Sequence, residues 1–181
     1  MNCRRFWVCL LLAVLSTALA PPELNLQSAG PQKSDAQKSF ELLKTLAGRW
    51  KGEGPEGAVR VSLRVTSGGS ALLQEMIPDG RAEDPTNGND DPVTMIYIDG
   101  DRLILVMYCD SFKNRPRMVG KLSSDGRTVD FDFLDVSGGA AQGYMDHATF
   151  TIVDADHHVE DWGVLTAGKH LRAHMSLVRM K

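Results

Sequence analysis

The feature that most constrains the fold is a hydrophobic pattern of period two, which begins after Gly48 and continues to the end of the chain. In 59–65, valine and leucine alternate with arginine and serine, and in 127–134 valine and phenylalanine alternate with threonine and aspartate. Successive side chains of a β-strand point to opposite sides, so this period gives each strand one apolar and one polar face. The pattern therefore predicts a sheet with one buried face and one face in solvent.

Short turn signals separate the strand patterns. Asp99-Gly100 and Asp125-Gly126 are typical of tight hairpins, because both central residues of a type I′ turn need positive φ. Further breaks fall at Gly68-Gly69, at 154–156 and at Ala167-Gly168. The predicted strands are 49–65, 70–77, 93–98, 102–109, 116–122, 127–134, 143–153, 158–166 and 169–180. A break in the first of them at 55–57 would give ten.

The order of these elements predicts how the sheet closes. Nearly every connection is a hairpin, and no helical pattern lies between the strands to form a parallel crossover. An up-and-down series leaves two unpaired edges, and closing the sheet pairs them with each other. We therefore predict an all-β fold, a closed antiparallel up-and-down β-barrel of 8–10 strands.

One short helix is predicted before the barrel. The segment 34–37 has the Ser-x-x-Gln pattern of a capping box, and Phe40, Leu43 and Leu46 follow at helical spacing. Gly48 is placed to end this helix, because glycine commonly follows the last helical turn.

The first 20 residues have the organisation of a signal peptide. Arg4 and Arg5 precede an apolar stretch over 6–15, and Ala18-Leu19-Ala20 has the small-x-small pattern that a signal peptidase recognises. We expect cleavage after Ala20, or after Ala18 because Pro21 suits the peptidase poorly. The expected product is secreted or periplasmic and keeps no integral membrane segment once the signal is removed.

The expected domain organisation follows from these boundaries. Residues 1–20 form the signal peptide, residues 21–36 a flexible leader, and residues 37–181 the barrel domain. The formal net charge is -3 and no basic cluster is present, which argues against nucleic acid as a partner. Cys109 is the cysteine that remains after cleavage, so the mature chain depends on its apolar core rather than on an intrachain disulfide.

The segment Gly48-Arg49-Trp50 resembles the Gly-x-Trp signature of lipocalins and other calycin-type proteins, and with Gly52 and Gly54 it is similar to the opening of nitrobindin-type barrels of ten strands. Similarity to uncharacterised exported bacterial lipocalin-like proteins extends over roughly residues 38–181. It includes Tyr108-Cys109, 115–118, His147, 154–157 and Asp161-Trp162. The resemblance implies a basic residue at the end of the last strand against the tryptophan, so we expect Arg179 over Trp50 as a cation–π contact.

A barrel of this size holds either packed side chains or one small ligand. We expect a small, mostly apolar ligand in the lumen, oriented by a few polar groups. The candidate ligand contacts are Met107, Tyr108, Cys109, Arg117, His147 and Trp162. Cys109 is expected to point inward in phase with Met107, and Tyr108 outward. Along 144–152, either the face of Met145 and His147 or the opposite face can line the lumen.

Two alternatives concern cofactors and metals. The resemblance to nitrobindins implies a haem bound by a histidine on a late strand, and His170 and His174 are the candidates, although they share a polar face. The adjacent histidines His157 and His158 point to opposite sides of a strand and so are poorly placed to bind one zinc ion. No metal site is expected.

Two further alternatives concern function. A barrel enzyme could use His147 together with Cys109 or Tyr108, which requires these side chains to converge within hydrogen-bond distance. A solid barrel with a structural or interaction role is the fourth reading, and the lining of the lumen separates it from a ligand-binding protein. The sequence contains no Gly-x-Ser-x-Gly, His-Glu-x-x-His or phosphate-binding glycine loop, so we expect a binding protein rather than an enzyme.

Overall fold

The computed structural model describes residues 32–55, 57–81, 91–109 and 111–181. The predicted signal peptide and most of the predicted leader lie outside the described residues, as does 82–90 in the connection between the third and fourth strands. Within the described residues, no helix is both long enough and apolar enough to cross a membrane.

The described chain contains one α-helix and ten β-strands. The helix, α1, is Asp35–Lys44. The strands are β1 (Gly48–Gly54), β2 (Gly57–Thr66), β3 (Ala71–Pro78), β4 (Val93–Asp99), β5 (Arg102–Tyr108), β6 (Arg115–Leu122), β7 (Thr128–Ser137), β8 (Tyr144–Ile152), β9 (His157–Thr166) and β10 (Lys169–Arg179). The first predicted strand divides between Gly54 and Gly57, at the break expected there.

The ten strands form a closed antiparallel barrel, as predicted. Each strand pairs with its neighbours in sequence, and β1 pairs with both β2 and β10 to close the ring. In the closing pair Trp50 lies opposite Arg179. Closure leaves no unpaired edge strand, which explains why a series of hairpins with one apolar face reaches this architecture.

The helix α1 closes the end of the barrel at which β1 begins. Ser34 and Gln37 form the predicted capping box, with Gln37 N–H donating to Ser34 Oγ at 3.2 Å and Ser34 N–H donating to Gln37 Oε1 at 2.9 Å. Phe40, Leu43 and Leu46 are buried in the same apolar cluster as Trp50. The indole N–H of Trp50 donates to the carbonyl of Leu46 at 2.8 Å, which joins the helical end to the first strand.

The helix ends earlier than predicted. Lys44 is its last residue, and Thr45 caps it by donating from Oγ1 to the carbonyl of Leu42 at 2.6 Å. Gly48 instead begins β1 with φ +145°, where an added Cβ would lie 2.5 Å from Nη1 of Arg179. The absence of a side chain at Gly48 therefore leaves space for the guanidinium of Arg179. At its N-terminal end, α1 begins at Asp35, so the domain boundary expected at residue 37 falls inside the helix.

Candidate functional site

A fully buried carboxylate lies inside the barrel. Glu160 is in the middle of β9, between His158 and Trp162 on the same inward face, and its side chain has no exposed surface. Inward-facing residues on the neighbouring strands are apolar: Phe150 on β8 and Met175 on β10 lie directly opposite Glu160. Glu160 is therefore a buried carboxyl group whose partners on the two adjacent strands are apolar.

The carboxylate is held from across the lumen. Gln74 lies on β3, which is separated from β9 by β10, β1 and β2 around the ring. Its amide Nε2 donates to both oxygens of Glu160, at 2.9 Å to Oε1 and 2.7 Å to Oε2. The indole N–H of Trp162 donates to Oε2 at 3.1 Å. These contacts connect two walls of the barrel through one polar cluster.

His158 completes the polar cluster, which consists of Gln74, His158, Glu160 and Trp162. Its Nε2 lies 3.0 Å from Glu160 Oε1, and its ring meets the Trp50 ring edge-on, with centroids 4.2 Å apart. Because an ionised carboxylate can only accept hydrogen bonds, we assign the ring hydrogen to Nε2. His158 thus lies between Trp50, at the end of the barrel that α1 closes, and the buried carboxylate.

Two polar atoms of this cluster are left over. Oε1 of Gln74 and Nδ1 of His158 are buried and have no hydrogen-bond partner within the part of the chain that the structure describes. A buried polar group without a partner costs about 1–3 kcal/mol, and a buried charge costs more unless it is well paired. An interior filled with apolar side chains would avoid this cost, so the cluster marks the lumen as a candidate site.

The lumen becomes more exposed towards the end opposite α1. This end, here called the mouth, carries the β1–β2, β3–β4, β5–β6, β7–β8 and β9–β10 connections. The half-buried apolar residues near the mouth that pack against the core are Met76, Cys109, Met145 and Ala173. Going along β9 from Glu160 towards the mouth, the wall therefore changes from a buried polar cluster to a partly accessible apolar surface.

The rim of the mouth is shaped by Asn114. Its Nδ2 donates to the carbonyls of Gly139 at 2.9 Å and Gly143 at 2.7 Å, which ties the β5–β6 connection to the β7–β8 connection. A hollow of about 340 Å³ opens beside it and is lined in part by Tyr108 and Cys109. The rim is thus held by side chain to backbone contacts between neighbouring connections.

Three of the predicted ligand contacts lie on the inner side. Met107 and Trp162 are buried in the lumen, and Trp162 belongs to the polar cluster. Cys109 is half-buried at the rim and packs against the core, in phase with Met107 as expected.

The other three lie outside. Tyr108 is 51 % exposed, and it lines an outer groove of about 570 Å³ together with Arg117. The guanidinium of Arg117 binds the carboxylate of Asp135, with Nε to Oδ1 at 2.8 Å, and this hydrogen bond lowers the pKa of Asp135. Neither Tyr108 nor Arg117 can contact a luminal ligand from this position.

The open question about β8 is decided by a bulge. The register shifts between Met145 and His147, so Met145 faces inward and packs against the core, while His147 faces outward near Asp132 at 3.5 Å. Ala148 and Phe150 line the lumen. The expectation that Met145 and His147 share a face is therefore wrong, because the bulge at Asp146 adds a residue to the strand.

The catalytic arrangement considered for His147 is not formed. His147 is on the outside of β8, and Tyr108 is on the outside of β5, with β6 and β7 between the two strands. Cys109 lies on the inner side at the rim. These side chains do not converge, so they cannot share a proton in one site.

The two histidines considered for haem also lie outside the lumen. His170 is paired with Asp146 at 2.9 Å and His174 with Asp161 at 2.8 Å, and both rings are mostly exposed. The histidine that faces the lumen is His158, whose Nε2 is engaged by Glu160 and whose ring packs on Trp50. These positions do not fit a luminal haem. Across the described ranges, no three His, Cys, Asp or Glu side chains group as a metal site requires.

The sequence patterns did not predict the polar cluster, since neither Glu160 nor Gln74 is among the candidate ligand contacts. A signal was present in β9, because Trp162 is an inward candidate and residues two and four positions before it must share its face. That spacing places Glu160 and His158 inside. Gln74 carries no comparable signal, since its contact depends on how the barrel closes.

Comparisons with known proteins support the fold alone. No model of a known protein family matches the chain, and no curated protein matches it. Among solved structures, Rv2717c from M. tuberculosis is similar with a TM-score of 0.57 and 14% identity, over 79% of this chain and 98% of that one. A protein of unknown function from the DUF3598 family of Nostoc punctiforme has a TM-score of 0.51 and 13% identity, over 76% of this chain. That match spans 48% of the Nostoc protein, about half its length.

Proposed function

We propose that this chain is an exported protein that binds one small, mostly apolar molecule in the barrel lumen. The observation that carries the proposal is the buried Glu160, held by Gln74 from the opposite wall inside an apolar interior. Ligand sites are typically concave and apolar, with a few convergent polar groups that fix orientation. The polar cluster and the accessible apolar surface towards the mouth match that description.

The side chains that line the lumen near the mouth support a site that can adapt to its ligand. Met76, Met145 and Met107 all face inward, and methionine side chains adjust their shape to different partners because they are unbranched and flexible. Ala173, opposite Trp162 on β10, leaves more space than a larger residue would. A ligand that enters from the mouth would therefore contact the methionines with its apolar part and approach the polar cluster with its other end.

The proposal is tested by blocking the lumen. The probe is N-phenyl-1-naphthylamine, an uncharged dye whose fluorescence rises in apolar surroundings. We expect saturable binding of one dye to the wild-type barrel and loss of at least tenfold in affinity in Ala173→Trp, which fills the lumen. Ser176→Trp is the matched control, because Ser176 is exposed on the outer face of the same strand. Equal binding by both variants, or none by the wild type, would contradict the proposal and favour the solid barrel.

A second measurement searches for the natural ligand. Native mass spectrometry of the protein purified from its own host should show a species of higher mass that dissociates on activation. The Ala173→Trp variant from the same host should lack it. A wild-type spectrum with the mass of the bare chain alone would count against a tightly held ligand.

Export is supported by the signal-peptide pattern of residues 1–20. The test is the intact mass of the protein recovered from the host's envelope or medium. We expect a chain that begins at Pro21, or at Leu19 if cleavage follows Ala18. Recovery of the uncleaved chain from the cytoplasm would contradict export and leave the proposed binding untouched.

A further inference from the structure

We infer that the polar end of the ligand is a hydrogen-bond donor, with a protonated aliphatic amine as the best match, and that it binds at the Gln74–Glu160 contact. The inference rests on the proposed luminal function and adds the chemical class of the ligand. It follows from which polar atoms of the cluster are already used and which are free.

The carboxylate itself is fully engaged. Glu160 Oε1 receives Gln74 Nε2 and His158 Nε2, and Oε2 receives Gln74 Nε2 and the indole N–H of Trp162. A carboxylate offers about four acceptor positions, so these contacts leave little room for another donor. A ligand would therefore make its hydrogen bond to a neighbouring atom while feeling the charge of Glu160.

The free atom next to the carboxylate is an acceptor. Nε2 of Gln74 faces both oxygens of Glu160, and rotating the amide by 180° would place its own oxygen against them. The amide orientation is thus fixed by electrostatic repulsion. Oε1 of Gln74 is left without a partner in the described structure, and a carbonyl oxygen can only accept.

The second atom of the cluster without a partner is a ring nitrogen of His158. Nε2 of His158 lies 3.0 Å from Oε1 of Glu160, and a neutral imidazole that carries its hydrogen on Nε2 has a lone pair on Nδ1. Nδ1 is buried and also has no partner among the residues described. The amide oxygen of Gln74 therefore requires a group that brings N–H or O–H bonds, and Nδ1 of His158 accepts such a bond when its ring is neutral.

The charge of the cluster points the same way. Three groups hold Glu160: the amide of Gln74 and the indole of Trp162 are uncharged, and the imidazole of His158 is uncharged when only Nε2 carries a hydrogen. Electrostatic interactions are strong in an apolar interior, so a cationic head is attracted to Glu160 and an anionic head is repelled. A fatty carboxylate or a phosphate would also meet acceptors where it needs donors. An amine satisfies both conditions, and an alcohol satisfies one.

The depth of the cluster indicates the length of the apolar part. β9 continues from Glu160 to Thr166 at the mouth, which corresponds to about 20 Å along the strand and less along the barrel axis because barrel strands are tilted. A single alkyl chain of about ten carbons is long enough to span most of that distance. Its wall is the apolar surface that includes Met76, Met145 and Ala173.

The test compares four probes with one alkyl chain and different heads. Isothermal titration calorimetry is done at pH 7, below the micelle concentration, with decylamine, decan-1-ol, decyltrimethylammonium and decanoate. We expect decylamine to bind at least tenfold more tightly than decanoate and than decyltrimethylammonium, which has the charge but no donor. Decan-1-ol, which has a donor but no charge, should fall between them.

Two variants assign the preference to the cluster. Glu160→Gln removes the charge with little change of shape and should reduce the preference for decylamine over decanoate at least tenfold. Glu75→Gln is the matched control, because Glu75 is exposed on the outer face of β3 next to Gln74. It should leave the preference unchanged. If Glu160→Gln fails to fold, the comparison of the four probes on the wild type still decides the inference.

The outcomes separate the inference from the proposed function. If decanoate binds as tightly as decylamine, the inference is overturned while luminal binding stands. If decyltrimethylammonium binds as tightly as decylamine, the site recognises charge alone and the requirement for a hydrogen-bond donor is wrong. If no probe binds although N-phenyl-1-naphthylamine does, the inference fails and the proposed function survives; if neither class binds, both fail.

Discussion

Gln74 and Glu160 meet inside the barrel from strands that are four places apart around the ring, with the amide nitrogen of Gln74 at 2.9 and 2.7 Å from the two carboxylate oxygens. Neither strand pairs with the other, so backbone hydrogen bonding does not create this contact. It forms because the sheet curls until opposite walls face each other. The contact therefore depends both on closure of the barrel and on the two polar side chains that face its interior.

The first prediction concerns the stability of this contact. Gln74→Leu removes the donor that faces both oxygens and leaves a buried carboxylate with fewer partners. We expect the free energy of unfolding to fall by about 2–4 kcal/mol. The measurement is urea unfolding at neutral pH followed by circular dichroism.

A double variant separates the cost of the unpaired charge from the loss of packing. Gln74→Leu combined with Glu160→Leu replaces the crossing pair with apolar side chains and should recover most of the lost stability, since apolar replacements of buried pairs are often neutral or stabilising. A double variant as unstable as the sum of the singles would show that Glu160 is not the reason why Gln74 matters. Glu75→Leu, on the exposed side of β3, controls for the substitution itself.

The second prediction concerns the closure of the barrel at its helical end. The guanidinium of Arg179 lies 4.1 Å from the centre of the Trp50 ring and donates to the carbonyls of Thr45, Ala47 and Ala155 at 3.1, 2.9 and 2.8 Å. Arg179→Met should lower the free energy of unfolding by about 2–3 kcal/mol, because it removes the cation–π contact and three backbone acceptors lose their donor.

Lysine at this position should restore only part of the loss. Its ammonium group has no planar fork and cannot reach carbonyls on three sides while stacking on an indole. Arg179→Lys is therefore expected to lie between the wild type and Arg179→Met in urea unfolding. Full stability in Arg179→Lys would show that charge alone, rather than the geometry of the guanidinium, holds this end.

The fold could be predicted from the sequence because its signals are local or repeated. Alternation of period two marked the strands to within a few residues, and the turn signals gave the antiparallel order. The capping box of Ser34 and Gln37 was recognisable since its partners are three residues apart. The placement of Arg179 over Trp50 followed from the resemblance and from closure, which brings the ends of the chain together.

The site could be predicted only in part, for the opposite reason. Met107 and Cys109 were placed inside by strand phase, but His147 and Met145 were put on one face because a bulge leaves no local signal. The contact of Gln74 with Glu160 joins residues 86 positions apart. Period and spacing describe which face a residue takes along one strand, and the stagger between opposite walls depends on the whole closed ring.

The third prediction tests why glycine stands before Arg49-Trp50. Gly48 has φ +145°, and a Cβ there would lie 2.5 Å from Nη1 of Arg179, whereas Gly57 has φ +112° with open space around it. Gly48→Ala should therefore destabilise the protein by about 3–4 kcal/mol, and Gly57→Ala by only the backbone cost of about 1–2 kcal/mol. Urea unfolding of both variants isolates the clash. Adding Arg179→Met to Gly48→Ala should cost less than Arg179→Met costs alone, and full additivity would contradict the steric explanation.

The fourth prediction is a pH dependence in the turn between β8 and β9. The pKa of Asp154 is lowered by the backbone N–H of Asp156, which donates to its carboxylate at 2.8 Å, and further by the ring of His157. A carboxylate with a lowered pKa in the folded state binds fewer protons there than in the unfolded state. Its stabilising effect is therefore complete above its ordinary pKa of about 3.9 and is lost as the pH falls through the lower folded value.

Asp154→Asn keeps an acceptor oxygen at the turn and removes the titration. The wild type should have a slightly higher Tm than this variant at pH 6, and the difference should shrink as the pH falls from 4.5 to 2.5, as followed by differential scanning calorimetry. Asp101→Asn, at an exposed position in the β4–β5 turn, controls for the loss of one negative charge. A protonated carboxyl accepts the N–H of Asp156 more weakly than a carboxylate does, so protonation of Asp154 should weaken the folded state. A Tm difference that grows on acidification would contradict this prediction, because it would mean that protonation of Asp154 favours the folded state.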